Sequence, residues 1–172
     1  MRRLSHRFRF QLLHEWMLAH YSPQTAADVG GGKGLLAYLL NLSGWKVTVI
    51  DPVVQILPRT FKSLQKERTT LSLDKRGQIE RIDKPFDINM ASDYDMLIGL
   101  HAHGSNLKII DSCCKYKKNF VLLPCCVIDE PIEIKPDINW LESLVKYAEN
   151  KGFTVGRDTL GFKGQDVVIY SI

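Results

Sequence analysis

A glycine-rich segment, Asp-Val-Gly-Gly-Gly-Lys-Gly at residues 28–34, contains the residue types best suited to binding a ligand. Gly30, Gly32 and Gly34 occupy alternate positions, and a residue without a Cβ can adopt backbone dihedrals that are closed to other residues. The segment follows a short apolar strand and precedes a predicted helix, whose first N–H groups have no partner within the helix. Asp28 can hydrogen-bond the ammonium group of a ligand or order the loop.

A second acidic residue closes the next predicted strand, which runs over 45–50 and ends in Asp51. A carboxylate at that position is well placed to accept hydrogen bonds from both hydroxyls of a ribose. The two features together predict a strand–loop–helix–strand unit that binds a nucleoside.

The glycine spacing excludes a nicotinamide oxidoreductase. The dinucleotide fingerprint G-x-G-x-x-G places its third glycine three residues after its second. Counted from Gly30 that third position is Leu35, and counted from Gly31 the middle position is Lys33. Neither register fits the fingerprint.

Two histidines follow the fourth predicted strand, in the segment Gly-Leu-His-Ala-His-Gly at residues 99–104. His101 or His103 can serve as a general base or position an acceptor, because imidazole titrates near neutrality. Alternatively, one ring holds the turn by bonding the backbone or a ligand carboxylate. Two histidines at i, i+2 without nearby carboxylates are not expected to bind a metal.

The four cysteines form two adjacent pairs, Cys113-Cys114 and Cys125-Cys126. Structural zinc sites usually contain Cys-x2–4-Cys turns, and adjacent residues of a strand or helix point in different directions, so we expect no zinc site. The first pair fits a helix flank as small apolar residues. No base is paired in sequence with Cys125, which disfavours a catalytic nucleophile there. Four cysteines in two adjacent pairs fit a reducing compartment better than a framework of disulfide bonds.

The remaining elements alternate between strand and helix. Helices are predicted over 4–20, 33–43, 59–68, 107–116 and 140–150, and strands over 25–29, 45–50, 78–82, 95–100, 120–123, 153–155 and 166–170. This alternation predicts parallel strands with helices on both faces and a ligand at the carboxyl ends of the strands. Asp83 closes the third of these strands, where it is either a ligand contact or a solvated turn residue. The linker from 83 to 93 is too short for a full helix, so we expect that crossover to be a turn.

Length and composition indicate a globular protein with one domain. The chain has 172 residues, of which 45% are hydrophobic and 24% charged, and this suffices for a buried core. No apolar run approaches the ~20 residues that span a membrane. The N-terminus is basic but lacks the apolar core of a secretory signal, so we expect a cytosolic protein.

A net charge of +4 suggests a polyanionic partner. Basic side chains cluster on two of the predicted helices, as Arg2, Arg3, Arg7 and Arg9 on the first and Lys62, Lys66 and Arg68 on the other. Such clusters supply the salt-dependent part of nucleic-acid binding, although charges of this kind more commonly coat solvated helix faces.

The order Asp-x-Gly-x-Gly-x-Gly, with its acidic partner after the second strand, resembles motif I of the class I S-adenosylmethionine-dependent methyltransferases. The resemblance implies one α/β domain over residues 1–172 with a leading helix at 1–22. Its sheet would be doubly wound, seven-stranded and mostly parallel, with the last strand antiparallel. It implies S-adenosylmethionine as cofactor, with Asp83 near the adenine amino group and the acceptor entering over the 99–104 loop. The implied cofactor-binding residues are Asp28, Gly30, Gly31, Gly32, Gly34, Asp51, Asp83, Gly99 and Leu100.

A narrower resemblance rests on two motifs together. One strand ends in Leu-His-x-x-Gly, and after a helix the next strand ends in Pro-Cys-Cys. This pattern resembles a subgroup that includes the eukaryotic tRNA 2′-O-methyltransferases acting on the acceptor stem. There the line tends to read Leu-His-x-Cys-Gly-x-x-Thr-Asp, whereas here His103 replaces the cysteine and Asn106-Leu107 replace Thr-Asp. The subgroup makes Cys125 a residue that lines the pocket, and the departures leave the substrate open. We expect His101 and His103 as the catalytic candidates and Asn106 and Cys125 as the substrate contacts.

The resemblance therefore predicts a methyltransferase that acts on an O, N or C atom. RNA is favoured as the acceptor, ahead of a small molecule and a protein side chain, and neither a metal nor a membrane is expected as a partner. The alternative is a non-catalytic binding or scaffold module that retains the fold. The lack of an acidic or Asn-Pro-Pro-Tyr signature after the fourth strand keeps this alternative open.

Overall fold

The computed structural model describes residues 3–64, 69–70, 78–132 and 139–172. Its strands are β1 (Thr25–Val29), β2 (Lys46–Ile50), β3 (Thr60–Phe61), β4 (Thr69–Thr70), β5 (Glu80–Ile82), β6 (Met96–Leu100), β7 (Asn119–Leu123), β8 (Val155–Thr159) and β9 (Val167–Ser171). Its α-helices are α1 (Arg9–His20), α2 (Leu35–Leu42), α3 (Asn106–Tyr116) and α4 (Trp140–Asn150), with 3₁₀ turns at His6–Phe8 and Ile88–Asp93.

One sheet contains seven of these strands in the order β5-β2-β1-β6-β7-β9-β8. The first five run parallel, and β9 is antiparallel to both β7 and β8. This confirms the predicted fold class, including the antiparallel last strand. The strand order reverses between β1 and β6, where a doubly wound sheet opens a crevice at its carboxyl edge.

Helices cover both faces of the sheet. On one face α1 and α2 bury Leu13, Met17 and Leu40 against β1, β2 and β6. On the other face, α3 and α4 bury Ile110 and Leu144. Because both faces are covered, the central strands are almost entirely buried, which explains why they are continuous apolar runs in the sequence.

The predicted helix over 59–68 is wrong within its described part. Thr60–Phe61 forms β3 and pairs antiparallel with β4, and 65–68 lie outside the described residues. The segment has too few apolar residues for a helical stripe, and β-branched threonines favour strands. Gln11 of α1 anchors it by donating a hydrogen bond from Nε2 to the Lys62 carbonyl at 2.7 Å.

The leading helix begins later than predicted. Leu4 forms a bridge with Phe162 instead, because its N–H donates to the Gly161 carbonyl and its carbonyl accepts from Lys163 N–H. Residues 3–5 are thereby tied to the loop between β8 and β9.

The other differences lie at the boundaries. The sixth strand of the sheet runs over 155–159 rather than 153–155, since it is an edge strand whose polar residues give no apolar signal. The crossover after β5 contains only the 3₁₀ turn, as predicted. Among the described residues, no helix has the length and apolarity to cross a membrane.

Candidate active site

The glycine-rich loop joins β1 to α2 at the carboxyl edge of the sheet. Gly30, Gly32 and Gly34 all have positive φ, at 67°, 54° and 77°, a region that favours glycine. Gly34 is the N-cap of α2 in the left-handed conformation. Gly30 N–H donates to the Ile50 carbonyl at 2.8 Å, which joins the loop to β2. The alternate glycines are therefore required by the backbone, as the sequence predicted.

Asp28 is a buried carboxylate at the base of this loop. The residue is 1% exposed, and neither oxygen makes a hydrogen bond of ordinary geometry to the described residues, although the Ala37 amide lies near enough to favour the charged form. Burial raises its pKa to about 7, and the charge of Asp51 adds to the increase, while the Ala37 amide and Arg81 offset part of it. Gly31 lies directly against it, since a Cβ there would be 2.5 Å from Asp28 Oδ2. A buried, unpaired carboxylate is suited to a cationic or hydrogen-bond-donating ligand.

Asp51 braces the glycine loop from the end of β2. Its Oδ2 accepts from Gly32 N–H at 2.9 Å and its Oδ1 accepts from Val53 N–H at 2.8 Å. Both oxygens therefore already accept from the backbone, and the expected contact with the ribose hydroxyls stays a prediction. Each carboxylate oxygen has a further lone pair, so both can still accept a second hydrogen bond.

Arg81 of β5 is a second brace, which sequence reasoning missed. Its Nη1 donates to the Gly32 carbonyl at 2.8 Å, and its Nε pairs with Asp83 Oδ1 at 3.3 Å. Asp83, predicted near an adenine, is exposed and engaged with this arginine, and it lines neither of the two cavities described next. The one feature of the sequence that could have indicated this role is a basic residue within the third predicted strand.

Two cavities flank the loop. The first, of about 440 Å³, is lined by Asp28, the glycine loop, Leu100 and Arg9 of α1. The second, of about 300 Å³, is lined by Asp51, Phe86 and the loop after β6. Both volumes fall within the range of small-molecule sites, and the two cavities share Gly30 and His101.

His101 lies between the two cavities with a left-handed backbone (φ 57°). Its N–H donates to the Leu123 carbonyl at 3.1 Å, and its ring stacks on His6 at a centroid distance of 5.2 Å. Burial lowers its pKa to about 4, and nearby Arg9, His6 and His103 lower it further. The imidazole is therefore neutral at pH 7, and its buried Nε2 has no hydrogen-bond partner among the described residues.

His103 lines the second cavity and contacts the second cysteine pair. Cys125 Sγ lies 3.2 Å from His103 Nε2, Cys126 Sγ lies 3.4 Å from His103 Nδ1, and the two sulfurs are 3.5 Å apart. The expectation that adjacent cysteines diverge is wrong here, because β7 ends at Leu123 and strand alternation does not extend beyond it. Burial, together with Cys126, raises the pKa of Cys125 to about 11.

Comparison with known proteins identifies the fold. No protein-family model and no curated protein matches the chain. A ribosomal protein L11 methylase from Lactobacillus delbrueckii subsp. bulgaricus is 15% identical, with a TM-score of 0.58 over 94% of this chain and 75% of that chain. A SAM-dependent methyltransferase from Archaeoglobus fulgidus is 12% identical, with a TM-score of 0.54 over 94% and 93%. The glycopeptide N-methyltransferase MtfA complexed with (S)-adenosyl-L-homocysteine is 12% identical, with a TM-score of 0.55 over 96% and 89%.

The chain has the class I methyltransferase fold. In this fold the glycine loop, Asp51 and the 99–104 segment meet at one edge of the sheet, as the motif resemblance implied. The finer resemblance to the tRNA 2′-O-methyltransferase subgroup stays a prediction.

Of three further residues that the resemblance assigned to the site, two have other surroundings. Gly99 lies within β6, where a Cβ would be 2.8 Å from both Ile109 and Leu122, so close packing explains this glycine and the expected cofactor contact gains no support. Leu100 does line the first cavity. Asn106 is buried, and its Nδ2 donates to Glu130 at 2.7 Å, so its predicted substrate contact gains no support either.

Glu130 is another residue that sequence reasoning missed in this methyltransferase fold. Its carboxylate accepts from Asn106 N–H at 2.7 Å and from Leu107 N–H at 3.1 Å, which caps the first turn of α3. A negative charge at a helix N-terminus is stabilising. Through this cap, the loop after β7 is fixed against the loop after β6.

Proposed function

We propose that the protein is an S-adenosylmethionine-dependent methyltransferase whose cofactor binds at the glycine loop and spans the two cavities. The observation that carries the proposal is Asp28, whose two buried oxygens make no hydrogen bond of ordinary geometry within the described part of the chain and lie beside the first cavity. The solved MtfA complex contains (S)-adenosyl-L-homocysteine, which supports the choice of cofactor for a chain of the same fold.

The charges of the first cavity suit an amino-acid zwitterion. Asp28 would accept hydrogen bonds from the ammonium group of the cofactor. Arg9 lines the same cavity, is half-buried, and has an Nε without a hydrogen-bond partner among the described residues, so its guanidinium would bind the carboxylate. Asp51, in the second cavity, retains lone pairs for the ribose hydroxyls.

When bound, S-adenosylmethionine would supply an electrophilic methyl group on a sulfonium. Alignment of an acceptor with such a group accounts for much of the catalysis of methyl transfer. His101 lies where the cavities meet and offers an Nε2 that no described residue hydrogen-bonds. A base with a pKa of about 4 is weak at neutral pH, so we assign His101 to orienting the acceptor rather than to removing its proton.

The acceptor class that we propose to test first is RNA. Basic residues Arg3, Arg7 and Lys163 line a groove of about 590 Å³ together with His6. Because the His6 ring stacks on His101, this groove adjoins the proposed site. A polyanion lying in the groove would reach the acceptor side of the first cavity.

Calorimetric titration with S-adenosylhomocysteine tests the cofactor assignment, with NADH as the control ligand. We expect saturable binding of S-adenosylhomocysteine alone. Asp28→Asn keeps the shape of the side chain but removes its charge, so affinity should fall at least about tenfold, equivalent to about 1.4 kcal/mol. Asp93→Asn, an exposed carboxylate on the second 3₁₀ turn, is the matched control and should bind as the parent does.

Two results would contradict the proposal. One is the absence of S-adenosylhomocysteine binding to the parent protein, which would favour the non-catalytic scaffold. The other is equal affinity in the parent and Asp28→Asn, which would remove Asp28 from the binding site.

A further inference from the structure

Three metal-ligating side chains converge outside the proposed cofactor contacts. Within the described residues, His103, Cys125 and Cys126 are the one group of three histidine, cysteine or acidic side chains whose donor atoms lie within 4.8 Å of one another. His103 comes from the loop after β6, and the cysteines come from the segment after β7. The histidine is exposed and the thiols are half-buried, so an ion has access to them from solvent.

The spacing of the donor atoms is close to that of a tetrahedral zinc site. Zinc binds sulfur at about 2.3 Å and imidazole nitrogen at about 2.0–2.1 Å, which separates tetrahedral ligands by about 3.6–3.8 Å. Here the two sulfurs are 3.5 Å apart, while Cys125 Sγ lies 3.2 Å from His103 Nε2 and Cys126 Sγ lies 3.4 Å from His103 Nδ1. Only one nitrogen of the ring can bind the ion, and all three donor atoms lie within 4.8 Å of one another. A rotation of the imidazole that brings one nitrogen to tetrahedral distance from both sulfurs would accommodate the ion.

The two loops that carry the ligands are held together without a metal. Glu130 bonds the first turn of α3, which directly follows the His103 loop. His101 N–H bonds the Leu123 carbonyl, at the end of the strand that precedes the cysteines. Gly104 packs against Asp129, since a Cβ at Gly104 would be 3.1 Å from the Asp129 Cβ. The protein therefore fixes both ligand-bearing segments before any ion binds.

We propose that His103, Cys125 and Cys126 bind a zinc ion, with an open coordination position on the side of the second cavity. Two thiolates and an imidazole are a ligand set that selects zinc over hard cations such as Mg²⁺, and three protein ligands leave a fourth position for water or another small donor. His103 lines the second cavity, so the proposed ion lies beside the cavity in which Asp51 would hold the cofactor ribose. The assignment does not depend on the proposed methyltransferase activity.

The test is titration of the reduced, metal-free protein with Zn²⁺ in competition with a chromophoric chelator. We expect one ion per chain. Cys125→Ser, Cys126→Ser and His103→Ala should each weaken Zn²⁺ binding at least about tenfold. Cys114→Ser, which removes an exposed thiol of α3, is the matched control and should leave the affinity unchanged. Replacement by Co²⁺ should give the thiolate-to-cobalt absorption and the intense visible bands of a tetrahedral site.

Three results would overturn the zinc assignment. They are no Zn²⁺ binding by the reduced protein, equal affinity in the Cys125→Ser/Cys126→Ser double variant, and a Co²⁺ complex without thiolate absorption. Circular dichroism of each variant checks that the fold is retained. Because S-adenosylhomocysteine binding is measured separately on zinc-free protein, failure of either assignment is distinguishable from failure of the other.

Discussion

Asp28 changes its charge within the pH range of most assays. Its pKa is raised to about 7 in the folded protein, chiefly by burial, whereas an unfolded aspartate titrates near pH 3.9. Between these values the folded state binds more protons than the unfolded state, so the free energy of unfolding falls as pH rises from about 4 to above 7. A shift of this size corresponds to at most about 4 kcal/mol. The charged form is the one that would bind an ammonium group.

We therefore predict opposite pH trends for stability and for binding. From pH 6 to 7.5 the parent protein should bind S-adenosylhomocysteine more tightly, by up to about tenfold, because the ionised fraction of Asp28 increases. Over the same range its stability in urea should fall relative to that of Asp28→Asn. Calorimetry and urea denaturation at several pH values measure both quantities. Parallel pH profiles in parent and variant would show that another group is responsible.

Gly31→Ala separates the packing of the loop from its backbone dihedrals. Gly31 does not have positive φ, but an added Cβ would be 2.5 Å from Asp28 Oδ2. We expect the variant to lose about 1–3 kcal/mol of stability, as overpacked sites do, and to bind S-adenosylhomocysteine at least about tenfold more weakly. Denaturant unfolding and calorimetry provide the two readouts.

The matched control is Gly152→Ala, in the turn after α4. Gly152 has a φ of 93°, and an added Cβ would meet nothing within 4 Å. That variant should lose about 1 kcal/mol through backbone strain while its affinity for S-adenosylhomocysteine stays unchanged. Unchanged affinity in Gly31→Ala would mean that the Asp28 carboxylate moves away without consequence and does not hold the ligand.

At the scale of elements, the sequence predicts whatever a short local pattern determines. The central strands are apolar runs and α4 has a clear amphipathic stripe, so their positions were predicted to within a residue or two. The segment at 59–64 has no such stripe, and its pairing with β4 comes from outside the segment. In the same way, Asp28 and the glycines lie within one short segment, the end of β1 and the loop after it, whereas Arg81 reaches Gly32 across 49 residues and Glu130 reaches Asn106 across 24. Contacts between residues so far apart in the chain produce no local sequence pattern from which they could be predicted.

For the second cysteine pair, Cys125 and Cys126, a local sequence pattern led to a wrong prediction. Their adjacency argued against a shared ligand, because alternation separates neighbours within a strand. The thiols converge because the chain leaves β7 just before them and because His103 approaches from a different loop. The boundary of one strand therefore decides the chemistry of the pair.

For the molecule as a whole, the placement of charge decides which acceptor is plausible. The carboxyl edge of the sheet carries the two cavities, and the groove with Arg3, Arg7 and Lys163 adjoins them. Other lysines lie at the amino edge, where Lys46 begins β2 and Lys117 and Lys118 precede β7. The groove set and this second set each contain three basic residues, at opposite edges of the same sheet, so they can be compared at equal charge.

We predict that RNA binding depends on the groove and not on net charge alone. The triple variant Arg3→Gln, Arg7→Gln, Lys163→Gln should weaken tRNA binding and reduce the slope of log affinity against log salt by about 2, because each phosphate contact contributes about 0.7–0.9. Fluorescence anisotropy with labelled tRNA between about 50 and 200 mM salt measures this slope. The triple variant Lys46→Gln, Lys117→Gln, Lys118→Gln should keep the parent slope. Equal slopes in the two triple variants would contradict the prediction, because they would show that RNA does not bind specifically in the groove.

The left-handed backbone of His101 determines how substitutions at this position must be interpreted. Asparagine and glycine tolerate such a backbone, whereas alanine and especially β-branched residues are strained by it. Alanine there removes the imidazole and adds strain at the same time, so a loss of function in that variant has two causes. Asparagine keeps a polar group and the tolerance for this backbone, and glycine removes the ring while relieving the strain. Homologues that differ at this position are therefore expected to draw on a narrow set of residues, whatever chemistry the ring performs.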